Sequence, residues 1–244
     1  MLSKNKIKFI KSLQQKKFRT MNNLFVVEGR KGVLSLIGSS FTVEEVYCSP
    51  NIFSEYPEIN TLNPIVVEES VLENASALMT NREAIAVVHQ KESPNIDWER
   101  EILFLDGISD PGNLGTIIRT AEWFGIHQVI CSFDAVEFYN PKVIQSTMGA
   151  FAHRIPVVLS VEEFIRQKPH DVPVFIADLA GEAPEQLAGL SKGVLVMGSE
   201  SHGVSTSWGD NVQRICIPSS VESKAESLNV AIATSILCYQ IKNG

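Results

Sequence analysis

Three short segments of this sequence contain residue types able to do chemistry, and each follows an apolar run. The first runs from Leu105 and Asp106 through a Gly/Pro loop (Gly107, Pro111, Gly112) to Asn113, Gly115, Arg119, Thr120 and Ala121. An arginine early in a helix offers a planar fork of N–H donors that can clamp a phosphate. With a helix starting near Gly115, Asn113 and Arg119 lie about a turn and a half apart and approach one loop mouth. A solvated arginine beside an Asn cap would have the same letters. The second segment is Val194–Gly203, a buried run that ends in Met197, Gly198 and Glu200. Gly198 there permits close backbone approach. The third is Ile217-Pro218, a loop through Ser219–Glu226, then Ser227, Leu228, Asn229 and Val230, with Ser227 expected as the N-cap of a small-residue helix.

Several familiar chemistries do not fit these letters. Gly107, Gly112 and Gly115 have the wrong intervals for a dinucleotide fingerprint, and no GK[ST] follows for a P-loop. Around Ser201 and His202 there is no G-x-S-x-G, and adjacent side chains make a poor nucleophile–base pair, which argues against a serine hydrolase. Cys48, Cys131, Cys216 and Cys238 are scattered, without CxxC or a nearby His at metal-ligand spacing. They read as reduced thiols in a cytoplasmic protein, and no metal is expected.

The elements that must position these residues form two series. Residues 4–19 have the spacing of an amphipathic helix, with Ile7, Ile10 and Leu13 on one stripe and lysines on the others. Strand-like runs follow at Leu24–Val27, Val43–Cys48, Pro64–Val67 and Ala84–His89, with a helical stretch over 31–37. Lys91–Asn95 is polar and unpatterned, as a linker would be. A second series begins with Ile102–Leu105 and a helix over Thr116–Phe124. Strands then recur at Gln128–Cys131, Pro156–Leu159, Pro173–Ala177, Val194–Met197 and Arg214–Ile217, and a last helix covers 227–241. Apolar strands without alternation imply a parallel sheet covered on both faces. The expected division is 1–93 as a smaller α/β domain, 94–101 as linker and 102–244 as a parallel-sheet α/β domain.

The chain has 244 residues, 44% hydrophobic and 20% charged, which describes an ordinary folded protein. No apolar run reaches the roughly 18 residues of a membrane span, and no secretory signal is expected. A net charge of −7 argues against nucleic acid only if it is spread evenly, and it is not. Residues 1–31 carry nine Lys and Arg against the single acid Glu28, so this stretch is +8 and the remainder −15. Phosphate binding depends on such a local patch. A solvated helix face would look the same.

Taken in this order and spacing, the three segments resemble the SpoU (TrmH-like) family of RNA ribose methyltransferases. Asn113, Gly115, Arg119, Thr120 and Ala121 look like its first motif, Met197, Gly198, Glu200 and Gly203 its second, and Ile217-Pro218 with Ser227–Val230 its third. Ser146–Ala150 and Pro156 also resemble family sequence. Asn22–Lys31 resembles the N-terminal substrate-binding domain of members acting mainly on large-subunit ribosomal RNA. Two departures stand out: Ser219–Glu226 is longer than usual and contains no glycine, and Gln145 stands where many relatives have arginine.

The resemblance implies a SPOUT-like catalytic domain with a C-terminal trefoil knot, a topology that neither composition nor periodicity indicates. It implies transfer of a methyl group from S-adenosylmethionine to a ribose 2′-hydroxyl, in 23S rRNA before tRNA, by a homodimer joined through the methyltransferase domain. Arg119, Asn113, Glu200, Ser227 and Asn229 would form the catalytic set, and Met197, Gly198, Ile217, Ser219 and Leu228 would hold the cofactor. RNA contact is expected at Lys4, Lys8, Lys11, Arg19, Arg30 and Lys31. The competing readings are a tRNA enzyme and an RNA-binding protein of this fold without catalysis.

Overall fold

In the computed structural model, which describes residues 2–78, 80–199, 202–209 and 212–244, the chain divides into two compact units. The first comprises Met1–Glu92 together with Glu137–His153, the second Ser93–Val136 and Arg154–Gly244.

The first unit opens with α1 (Lys4–Ser12) and α2 (Lys16–Asn22). The single helix expected over 4–19 is thus broken, because Leu13–Gln15 turns and Gln15 becomes an extended N-cap for α2. Then come β1 (Leu24–Glu28), α3 (Arg30–Leu34), β2 (Val43–Cys48), α4 (Pro50–Glu55), β3 (Ile65–Val66), α5 (Glu69–Ala75) and β4 (Ala84–His89). Among the described residues these strands form a sheet of order β1-β4-β2-β3. Leu24 and Val26 join Ile10, Leu13, Leu72 and Val87 in a core on one face. Phe25 and Val27 are equally buried, so the other face must also be covered. Phe25 meets Phe41, Tyr139 and Phe151 at ring-centroid distances of 5.5, 4.7 and 6.2 Å. Glu137–His153, which lies within the stretch expected as the second domain, packs with the first unit, because β1 is apolar on both faces.

The second unit contains β5 (Glu101–Asp106), α6 (Pro111–Trp123) and β6 (Gln128–Cys131). After α7 (Pro141–Ser146), which lies in the first unit, it continues with β7 (Val157–Val158), α8 (Val161–Gln167), β8 (Val174–Glu182), β9 (Gly193–Gly198), β10 (Gln213–Ile215) and α9 (Val230–Asn243). The described strands form a parallel sheet of order β10-β8-β9-β5-β6-β7. Ile102 and Phe104 enter one core with Phe164, Val194, Val196 and Trp208. Alternation turns Leu103 and Leu105 to the opposite face. The mutually packed α6 and α9 bury Leu114, Ile117, Ile118, Leu237 and Ile241. Lys242, at the end of α9, ion-pairs with the buried Glu101 and fixes the helix to the start of β5. Among the described residues no helix is long and apolar enough to cross a membrane.

Candidate active site

The loops that leave the carboxyl ends of β5 and β9 start side by side, since Asp106 pairs in register with Gly198. Gly198 is required there by packing. A Cβ on it would lie 2.3 Å from the carbonyl carbon and 2.5 Å from the carbonyl oxygen of Gly203. The loop closes through two backbone hydrogen bonds between Ser199 and Gly203, each 2.9 Å, and Gly203 takes a φ of +66°. Asp106, which sequence reasoning left without a role, ties this loop down. Its Oδ2 accepts from the Ser205 N–H at 2.7 Å and from the Trp208 indole N–H at 3.0 Å. The available signal was an acid ending an apolar strand and preceding a glycine.

α6 begins at Pro111, not near Gly115, because the Asp110 side chain caps it, accepting from the Asn113 N–H at 2.8 Å, with proline in the first turn. Asn113 and Arg119 consequently share one helix, six positions apart. That separates them by about 240° of rotation and about 9 Å of rise, so α6 alone does not bring them to one mouth. Arg119 instead follows the stripe of Gly115 and Trp123. It is exposed and makes no hydrogen bond or ion pair among the described residues.

The expected cap of the last helix also shifts. Asn229, not Ser227, is the N-cap of α9: its Oδ1 accepts from the N–H groups of Ala231 and Ile232 at 3.0 and 3.3 Å. Its Nδ2 donates to Asn113 Oδ1 at 3.0 Å. One amide thus caps α9 and binds it to the first turn of α6. A second tie, Thr120 Oγ1 to Ser235 Oγ at 3.1 Å, lies further along the same two helices.

The structure therefore brings Asn113 to Asn229, and Met197 and Gly198 beside Leu105 and Asp106. Ser219, Ser227 and Leu228 lie in an exposed stretch and Ile217 is half-buried. The main chains of Ile217, Ser219 and Leu228 make no hydrogen bond among the described residues. Glu200 lies outside the described residues. Among the described residues no group of His, Cys, Asp and Glu could hold a metal ion.

In the first unit, Lys4, Lys8, Lys11 and Lys31 are exposed. Arg30 is half-buried, donating to the Tyr56 hydroxyl at 2.7 Å with its guanidinium 5.0 Å from the ring centroid. Arg19 does not belong to the RNA-binding set. It is 2% exposed, pairs with Glu137, and donates to the carbonyls of Leu13 and Gln14 at 2.9 and 2.8 Å. All of this fork is turned inward, across the break between α1 and α2.

Comparison with known proteins finds matches over nearly all of the chain. Residues 100–239 match the SpoU rRNA Methylase family and residues 4–94 the MRM3-like substrate binding domain. The 23S rRNA (guanosine(2553)-2′-O)-methyltransferase RlmP of Bacillus subtilis is 30% identical over 97% of this chain and 96% of its own length. A solved structure of a TrmH-family protein from Porphyromonas gingivalis superposes with a TM-score of 0.84 at 35% identity, covering 99% of this chain and 98% of that one. An AdoMet-bound rRNA methyltransferase from Sinorhizobium meliloti gives 0.85 at 28% identity, with 99% and 96% covered.

Proposed function

We propose, for a chain that belongs to the SpoU rRNA methylase family, that it transfers a methyl group from S-adenosylmethionine to a ribose 2′-hydroxyl of large-subunit ribosomal RNA, in the cytoplasm. The observation that carries this reading is the 3.0 Å bond between Asn113 and Asn229. It joins two motif segments more than a hundred residues apart at the carboxyl edge of a parallel sheet, where α/β proteins bind their ligands.

S-adenosylmethionine supplies an electrophilic methyl on a sulfonium sulfur. Main-chain groups at Met197, Gly198, Ile217, Ser219 and Leu228 hold the donor, and Asp106 keeps the neighbouring loop in place. The 2′-hydroxyl is weakly acidic, so its oxygen needs charge stabilisation as it attacks. Arg119 binds the adjoining phosphate and stabilises that oxygen. A guanidinium stays protonated, which makes it a clamp and not a base; the 2′-hydroxyl proton passes to solvent water as the methyl–sulfur bond breaks and S-adenosylhomocysteine leaves. Asn113 and Asn229 fix the helix starts, and Glu200 and Ser227 shape the site. The knotted path of the C-terminal chain belongs to the same reading.

The partner is a second copy of the chain, joined through this domain. Trp123 is 84% exposed on α6, and Ile232, Ile236 and Tyr239 form an exposed stripe on α9. Such a face is expensive to leave in water, and it continues the Arg119 stripe. Lys4, Lys8, Lys11, Arg30 and Lys31 contact RNA phosphates.

The test is methylation of unmodified large-subunit rRNA, read as ribose positions resistant to alkaline hydrolysis. Wild-type protein is expected to protect a discrete site. Arg119→Lys, which retains charge but not the fork, is expected to lower kcat by about 100-fold. Wild-type rates in that variant would end the clamp assignment, and no donor uptake by the wild-type protein would end the whole reading.

A further inference from the structure

A cavity of about 480 Å³ lies in the first unit, and no residue of the three motif segments lines it. Its walls come from three places: the β1–α3 turn with Arg30 and Lys31, the segment before β4 with Glu83, and the excursion Glu137–His153 with Gln145 and Met148. Its volume falls within the roughly 300–1,000 Å³ of small-ligand sites.

The wall contributed by the excursion is unusual in its backbone. Met148 follows the last turn of α7 with a φ of +52°, in the left-handed region where glycine ordinarily ends a helix. An unbranched but bulky residue at that position is strained, and such strain persists where the surroundings enforce it, often at binding sites. Glycine comes one position too late to relieve it. Gly149, at φ +103°, is pressed against Ser35, whose Cβ would lie 3.1 Å from an added Cβ. The result is a thioether side chain, 46% exposed, on the cavity wall.

The polar groups around it are available. The exposed amide of Gln145 and the ammonium of Lys31 have no side-chain partner among the described residues. Arg30 is held on Tyr56 and keeps further N–H donors. Glu83 Oε2 accepts the Arg30 backbone N–H at 3.0 Å, and its other oxygen has no donor among the described residues. Cations at a rim, a polarizable apolar wall, a free amide and a free carboxylate oxygen match one nucleotide that has left its stack. Phosphate, base face and base edge each find a partner there, which is how proteins read single-stranded RNA.

We propose that this cavity receives one unstacked ribonucleotide of the RNA substrate, its phosphate on Lys31 and Arg30, its base against Met148 and its edge on Gln145 and Glu83. The inference rests on the reading of the chain as an RNA methyltransferase and adds a specificity site built from first-unit residues alone.

The decisive variant is Met148→Gly, which removes the thioether while relieving the backbone. It is expected to melt no lower than wild type yet to raise KM for unmodified large-subunit rRNA about tenfold, more than it lowers kcat, with donor affinity unchanged. Lys31→Ala and Gln145→Ala should raise KM in the same way. In wild-type protein, thiouridine-substituted rRNA should photo-crosslink to peptides containing Met148 or Lys31. Unaltered KM in all three variants, or crosslinks that avoid both peptides while methylation proceeds, would overturn the pocket and leave the enzyme assignment standing. If the wild-type protein neither binds nor methylates rRNA, both fall together.

Discussion

Asp106 illustrates how one side chain can govern a loop that it does not belong to. It is 7% exposed and takes two N–H groups from the stretch after Gly203. Asp106→Ala leaves the Ser205 amide and the Trp208 indole without an acceptor, a cost of about 1–3 kcal/mol. Donor affinity measured by calorimetry should fall more than RNA affinity. Arg19 is a structural counterpart in the first unit. Arg19→Met leaves Glu137 and two carbonyls unpaired and should lower unfolding free energy by about 3–5 kcal/mol, read from the denaturant midpoint. The thiols give a pH-dependent case. Burial pushes Cys131 and Cys238 up to about 12 from an ordinary 9.0. The folded state then holds these protons more tightly than the unfolded one, so their contribution is complete below about pH 9 and is lost as pH rises toward 12. Alkylation of the native protein near neutrality should accordingly reach the half-buried Cys216 before Cys48, Cys131 or Cys238.

At the scale of elements, α6 and α9 are fastened at their first turns by Asn113 and Asn229. Asn229→Ala removes a cap and the bridge together and should cost about 1–2 kcal/mol. Asn229→Asp restores the cap but not the donor to Asn113, so stability should return without full activity. The strands were readable in the sequence because Ile102–Leu105 and Val194–Met197 are apolar without alternation. β8 runs on to Glu182, past the apolar run, because its polar end pairs with Ile215 after a register shift. Asp110-Pro111 is a readable helix start, masked in the sequence by glycines after it that have the composition of a loop. Ser227 and Asn229 are both good caps, and only tertiary packing chooses between them. Arg19 was not recoverable from pattern at all, since its partner Glu137 is 118 positions away. Nor was Met148, whose backbone is set by what surrounds it. Among the proposed site residues, the motif letters located the loops, while the Asn113–Asn229 bond and the part played by Asp106 required coordinates.

For the whole molecule, an overall charge of −7 coexists with a +8 N-terminal stretch. RNA affinity should therefore weaken with salt. Replacing Lys4, Lys8 and Lys11 by glutamine should flatten the slope of log K on log salt by about 0.7–0.9 for each phosphate that is no longer neutralised. The proposed pairing of two copies predicts that Trp123→Asp shifts the protein toward the monomer in sedimentation velocity.

The passage of Glu137–His153 into the first unit makes the two halves inseparable by a single cut. A protease nick between 93 and 100 would sever the chain, yet the fragments should elute together, because Phe151 and Tyr139 would still be lodged against Phe25. A chimera joined at that boundary would place a foreign insertion over β1. Exchanging the first unit between relatives would demand transplanting seventeen further residues from the middle of the other half.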